Sequence, residues 1–339
     1  MIRRHSVISP HAQQGAAALI MLIILVLGAS YLFVSELNRS SLQTERNKIT
    51  AAALAQAKEA VLGYALANQR TPGGLAFPDR NGDGNYDGDG DCYTGAVSPG
   101  LLLGKLPSLN EDGCFPVVAA FNTTPLDAAG ERIWFAASRN LFRGNSGNYP
   151  VITTTSLMAT TNWLRVSDGN GTLLSNQVAF VLVAPGEVLH GQDRSSSAPN
   201  AQNFLDSFTV GAATYQNWNM ANPLGFVTAN AVNDATNRFN DRLLYVTRDE
   251  FMSRLVDRVA GEIRLVLTAY YTTIGAYPVA LSDIVGSLPP WFNPNWTADT
   301  VYTRLAPGQV TIHFQGCPGA IFAITWNAAT SDMRRNGTC

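Results

Sequence analysis

Charge is scarce in this chain: of 339 residues only 14% are Asp, Glu, Lys or Arg, against about 25% in an average soluble domain. The net charge of −2 excludes, as a first reading, a basic protein that coats nucleic acid. The four cysteines show no Cys-x-x-Cys spacing, which argues against a structural zinc site. His-x-x-x-His, Gly-x-Ser-x-Gly and P-loop patterns are all missing. Beyond the N-terminal segment the histidines are His190, in a polar loop, and His313, which alternates with Ile312 and Phe314 as an ordinary strand residue would. Neither has a visible acid, base or nucleophile partner, so the expectation is that the chain is not an enzyme.

What is present is apolar. Hydrophobic residues make up 46%, enough for a sizeable core and unlike the profile of a disordered chain. The first acid is Glu36, whereas Arg3 and Arg4 precede an uncharged run, Ala16 to Val34. At 1.5 Å per residue that run spans roughly 28 Å, about one hydrocarbon core. The basic flank predicts an inner-membrane, single-pass chain with its N-terminus inside and a periplasmic head. A cleaved signal peptide would want small residues at −3 and −1, but Leu27-Gly28-Ala29 puts a bulky Leu at −3. A plain anchor fits the run but leaves the Gln13-Gln14-Gly15 boundary unexplained. A third reading cuts before the apolar run, between Gly15 and Ala16, and keeps the run.

Past Val34 no Pro or Gly interrupts Ser35 to Leu62, and Leu37, Leu42, Ile49, Ala52, Ala53, Ala60 and Leu66 form a sparse apolar stripe. One helix from Ala16 to about Asn68 is expected, ended by Pro72-Gly73-Gly74. The run QQG-AAALIMLIILVLG followed by this helix resembles the prepilin leader and N-terminal helix of type IV pilins and type II secretion pseudopilins. The resemblance covers about the first 70 residues. It departs from the family at Ile20, where the usual residue is Glu, and at Ala16, where major pilins begin with Phe. Both departures resemble minor subunits of the X, K or P type. The resemblance implies processing by the prepilin peptidase, methylation of the new N-terminus, and partnership with other pilins or pseudopilins, in assembly initiation or at a tip. A calcium-stabilised pilus-tip adhesin and a membrane-anchored periplasmic binding protein are the competing readings. No nucleic-acid partner is expected.

Two features of the exported part carry chemistry. Cys92 and Cys114 are 22 residues apart, and so are Cys317 and Cys339. Four cysteines allow three pairings; the two local ones are the expectation, each adding roughly 3 kcal/mol by loop entropy. Free buried thiols are the bland alternative. The second feature is Asp79-Arg80-Asn81-Gly82-Asp83-Gly84-Asn85-Tyr86-Asp87-Gly88-Asp89-Gly90-Asp91. Asp79, Asn81, Asp83 and Asp87 hold positions 1, 3, 5 and 9 of a calcium loop, with Gly84 at the turn. Gly90 stands where an EF-hand has its Glu, so Asp89 or Asp91 would have to close the shell around Ca2+, and Asn85 completes the oxygen-rich set. The competing reading is a solvated acidic turn. Pseudopilins often carry a structural calcium, although in a later loop.

Residues 133–138 and 177–184 read as strands, and 163–174 as a hairpin around Asp168-Gly169-Asn170-Gly171. Thr247 to Glu250 reads as a capping box opening a helix to about Tyr271, with Phe251, Leu255, Val259, Val266 and Tyr270 on its buried face. Residues 310–314 and 320–326 read as closing strands. The expected fold class is α+β: a long N-terminal transmembrane helix packed on an antiparallel-sheet, pilin-like head, with a second helix-plus-strand unit. The expected divisions are a leader at 1–15, the transmembrane helix at 16–34, its periplasmic continuation at 35–70, a first head region at 71–242 and a second unit at 243–339.

Overall fold

The computed structural model describes residues 41–68, 71–80, 86–91, 98–109, 111–112, 121–142, 152–195 and 199–339. The chain divides into two units, residues 1–49 and 50–339. Residues 41–49, the described part of the first unit, are helical.

In the second unit, α1 covers residues 50–67. Ala53, Leu54, Ala57, Val61, Leu62 and Ala65 recur at three- and four-residue spacing and are buried. The chain then enters a sheet through β1 (Leu103–Lys105) and β2 (Trp134–Ala137). The short α2 (Thr154–Met158) precedes β3 (Leu164–Asp168), β4 (Leu173–Ala184), β5 (Phe226–Thr228) and β6 (Arg242–Thr247). The order is β1-β2-β4-β3-β5, with β6 also paired to β4. All pairs are antiparallel except β3–β5, which is parallel.

β4 organises this sheet because it is buried on both faces. Phe180, Leu182 and Ala184 join Phe135 and Ala137 in the main core with α1. Val181 and Val183 face the other way, with Trp134 and Ala136, and are covered by Phe204 and Leu205 from the connection between β4 and β5. The period-two alternation of a strand assigns these neighbours to opposite cores.

β6 runs directly into α3 (Arg248–Ile274). Thr247 accepts the amide of Glu250 at 3.2 Å, and Asp249 and Glu250 lie in the first turn, where the helix dipole favours acids. The Glu250 carboxylate reaches Lys58 of α1 at 2.5 Å. Gly275, at φ 77°, closes the helix, a conformation that costs glycine little. The buried face is Phe251, Leu255, Val259, Ile263 and Leu267. Val266 and Tyr270, expected on that face, are only partly buried. α4 (Asn295–Asp299) leads to a four-stranded meander, β7 (Thr300–Ala306), β8 (Gln309–Phe314), β9 (Cys317–Asn327) and β10 (Thr330–Asn336). Val310, Ile312, Phe314, Phe322 and Ile324 of this meander share the main core with α1 and α3.

Two expectations are corrected here. The described chain is α+β with mostly sheet content, but no helix among the described residues is long and apolar enough to cross a membrane. α3 has the length, 27 residues, yet Arg254, Asp257, Arg258, Glu262 and Arg264 along it would be too costly in lipid. The transmembrane helix expected at Ala16–Val34 lies outside the described residues. The inner-membrane, single-pass placement with a periplasmic head was built on that helix and loses its support with it. The head also departs from a purely antiparallel sheet, through the β3–β5 pair. Residues 242–247, at the expected start of the second unit, form β6, hydrogen-bonded to β4 of the first sheet.

Cys317 and Cys339 are joined by a disulfide, with Cα atoms 4.8 Å apart. Cys92 and Cys114 lie outside the described residues.

Candidate functional site

The acidic stretch 79–91 is anchored at both ends. Asp79 pairs through its backbone with Lys105 of β1, its N–H meeting the Lys105 carbonyl at 3.0 Å. Its side chain is 1% exposed. Oδ2 accepts Arg132 Nη2 at 2.6 Å and the Gly88 amide at 2.9 Å. Oδ1 has no hydrogen-bond partner. Burial outweighs the attraction of Arg132 and pushes the Asp79 carboxyl up to about 6.

Arg132 stitches the loop to the sheet. Beyond Asp79 it donates to the Tyr86 carbonyl at 3.1 Å and the Leu106 carbonyl at 2.9 Å. At the far end Asp91 Oδ2 accepts the Arg80 amide, and the Asp91 carbonyl accepts Arg80 Nη2 at 3.2 Å. Asp87 Oδ1 accepts the amide of Asp89 at 2.9 Å, a local turn bond. Gly88 and Gly90 are needed here: a Cβ on Gly90 would lie 2.4 Å from the Phe77 carbonyl oxygen.

A guanidinium thus neutralises the position-1 Asp from inside the fold. Asn81, Asp83 and Asn85, the central ligands of the expected calcium set, lie outside the described residues. Among the described residues no group of three or more His, Cys, Asp or Glu is placed to hold a metal. Asp79, Asp87, Asp89 and Asp91 are therefore in one loop, but the described contacts do not bring them to one point. Among the described residues of the loop, Asp79 Oδ1 is a buried carboxylate oxygen without a hydrogen-bond partner.

Next to the loop sits an aromatic cluster. The Tyr86 ring is 5.6 Å from Trp134 and 6.1 Å from Phe204, and Trp134 is 5.3 Å from Phe204. Lys105 Nζ lies 4.7 Å from the Tyr86 centroid and 4.3 Å from that of Phe204, within cation–π range. Burial and the nearby Arg132 lower the Lys105 pKa, while burial beside Asp79 and Asp91 raises Tyr86 to about 12. The loop, β1, β2 and the β4–β5 connection converge here, so the arrangement holds segments together across the outer face of the sheet.

Sequence reasoning missed Arg132 and Lys105 as partners of the loop, since 53 residues separate Arg132 from Asp79. It also missed two buried acid centres described below, Asp206 with Asp241, and Asp299. His190 is exposed, and its carbonyl accepts Arg238 Nη1 at 3.5 Å; His313 lies in β8, half-buried. Gly15 and Ala16 lie outside the described residues. Compared with known protein families, curated proteins and solved structures, the chain matches none.

Proposed function

We propose that this chain is a minor, pilin-like structural subunit of a type IV pilus or type II secretion filament, with no catalytic role of its own. The carrying observation is the run Gln13-Gln14-Gly15-Ala16 leading into 19 uncharged residues. In this reading the prepilin peptidase cuts after Gly15 and the mature subunit begins at methylated Ala16. The apolar segment then packs against those of sister subunits, driven by removal of its surface from water. Ile20 in place of the usual Glu suits a subunit placed at initiation or at a tip. The described head supports the structural part of the reading: its buried ion pairs tie loops to sheets.

Intact-mass measurement of the full chain, produced with and without a prepilin peptidase, tests this. The expected product starts at Ala16 only when the peptidase is present, and Gly15→Glu keeps the full mass. Identical masses with and without the peptidase, or an N-terminus downstream of the apolar run, overturn it.

Structural Ca2+ in the acidic loop belongs to the same proposal. Asp79 Oδ1 would hold it, with Asn81, Asp83, Asn85, Asp87 and either Asp89 or Asp91 as the remaining sequence-assigned ligands. Calcium at about 100 times its Kd should add roughly 2.7 kcal/mol to stability, seen as a rise in melting temperature that chelator reverses and Asp83→Asn abolishes. Unchanged melting in calcium overturns this part and leaves the Arg132–Asp79 and Arg80–Asp91 pairs to neutralise the loop.

A further inference from the structure

The connection from β4 to β5 and on to β6, residues 185–241, covers the outer face of the first sheet. It is pinned at one point by two buried carboxyl groups. Asp206 is 4% exposed and Asp241 1%. Each accepts the other's backbone amide: Asp206 N donates to Asp241 Oδ2 at 2.9 Å, and Asp241 N donates to Asp206 Oδ2 at 3.2 Å. Asp206 Oδ2 also takes the Asn240 amide at 2.7 Å, and its Oδ1 takes Gln192 Nε2 at 2.9 Å. Asp241 Oδ2 takes Asn217 Nδ2 at 2.9 Å, and Asn217 in turn exchanges two bonds with Val227 of β5. Asp241 Oδ1 is buried and has no partner.

The positive charge acting on both groups is Arg194. Its guanidinium is committed elsewhere, to Glu131 at 3.1 Å and to the carbonyls of Gly186, Asn203 and Phe204. Of the other charged or titratable side chains in residues 185–242, Glu187, His190, Asp193, Asp234, Arg238 and Arg242 are exposed, and buried Tyr215 donates to the Gly171 carbonyl at 3.4 Å; Lys105, from β1, packs its ammonium over the Phe204 ring. With no cation among the described residues bonded to either carboxylate, ionising both in such a place is costly.

We infer that Asp241 holds a proton beside an ionised Asp206 and that the pair forms an acid-closed clasp, which holds the described residues of 185–241 on the sheet in mild acid and loosens them as the pH rises. The partnerless Asp241 Oδ1 is where the proton resides. Burial and the Asp206 charge raise Asp241 well above the ordinary carboxylate range, and burial lifts Asp206 to about 6. When the proton leaves, two adjacent buried charges repel, and the five segments that meet there lose their common fastening. Phe204 and Leu205 then lift from Trp134, Val181 and Val183, exposing an apolar face.

Hydrogen exchange with mass-spectrometric readout on the intact chain tests this. After correction for intrinsic rates, peptides within 199–241 should lose about tenfold in protection between about pH 5.5 and about pH 8, while peptides from α3 do not change. Asp241→Asn mimics the protonated form and should keep the acid-level protection at both values. Equal protection of 199–241 at the two pH values in the natural chain overturns the clasp, as does a folded Asp241→Asn chain that retains the full pH dependence. Should that variant not fold, the infrared carbonyl band of a protonated carboxyl, sought at neutral pH in a folded Asp79→Asn chain, which removes the other raised carboxyl, decides: its presence upholds the clasp and its absence overturns it.

Discussion

Replacing Asp299 by Ala should destabilise the chain by about 3–5 kcal/mol, as a fall in urea midpoint at constant m-value. Asp299 is 3% exposed at the end of α4. Its carboxylate accepts Thr154 N at 2.9 Å, Thr154 Oγ1 at 2.6 Å and Thr155 N at 3.2 Å, and also the Thr155 hydroxyl. These bonds satisfy amides that the first turn of α2 would otherwise leave buried and unpaired. Thr154 Oγ1 in turn accepts the Gly316 amide at 2.9 Å, and a Cβ on Gly316 would sit 2.4 Å from the Thr154 carbonyl oxygen. The substitution therefore breaks the link between α2 and the C-terminal meander at its tightest point, beside Cys317. Asp299→Asn, which keeps an acceptor, should cost less than Ala. A loss below about 1 kcal/mol for Ala would mean that these bonds carry no net stability.

Stability should rise as the pH falls from about 7.5 to about 5, opposite to the usual acid destabilisation. Asp79 is raised from 3.8 to about 6, and Asp206 and Asp241 are raised too. A carboxyl raised in the folded state binds its proton there first. Between the unfolded and folded values, the folded chain holds more protons, so acid favours it. For Asp79 the gain is at most about 3 kcal/mol, at 1.36 kcal/mol per pH unit. The exposed Asp168 and Asp234 shift the other way, lowered by backbone amides of their own turns. What they contribute is lost as the pH falls below about 4, so maximum stability is expected near pH 4.5–5. Melting temperatures across this range measure the curve. Asp79→Asn and Asp241→Asn should each flatten it, whatever they do to the absolute stability. A natural chain whose melting temperature climbs steadily from about pH 5 to about pH 7.5 would contradict the assignment of these groups.

Deleting residues 141–240 would be the direct test of the competing adhesin reading, with loss of attachment but intact filaments expected. In the fold these residues include β3, β4 and β5, and β4 is the strand on which β2, β3 and β6 all pair. Their deletion would remove the centre of the sheet.

What the sequence determined by itself is local. Thr247 marks the start of α3 because capping needs a side chain within three or four residues of the helix end, whereas the expected end near Tyr271 falls short of the cap at Gly275. The turn Asp168 to Gly171 announces its hairpin, and in the structure Asp168 Oδ1 accepts the amides of Asn170 and Thr172 at 2.9 and 2.8 Å. The pairing of Cys317 with Cys339 was legible from a short separation and two local candidates. The apolar run of 179–184 announced a buried strand, but with no polar alternation it could not say which neighbours lay on which face. Tertiary structure alone decided that Asp79 meets Arg132, that Asp206 meets Asp241 and that Asp299 meets Thr154. These contacts span 53, 35 and 145 residues. A buried carboxylate must find donors wherever the closed core leaves them, and no periodicity in the chain records that place.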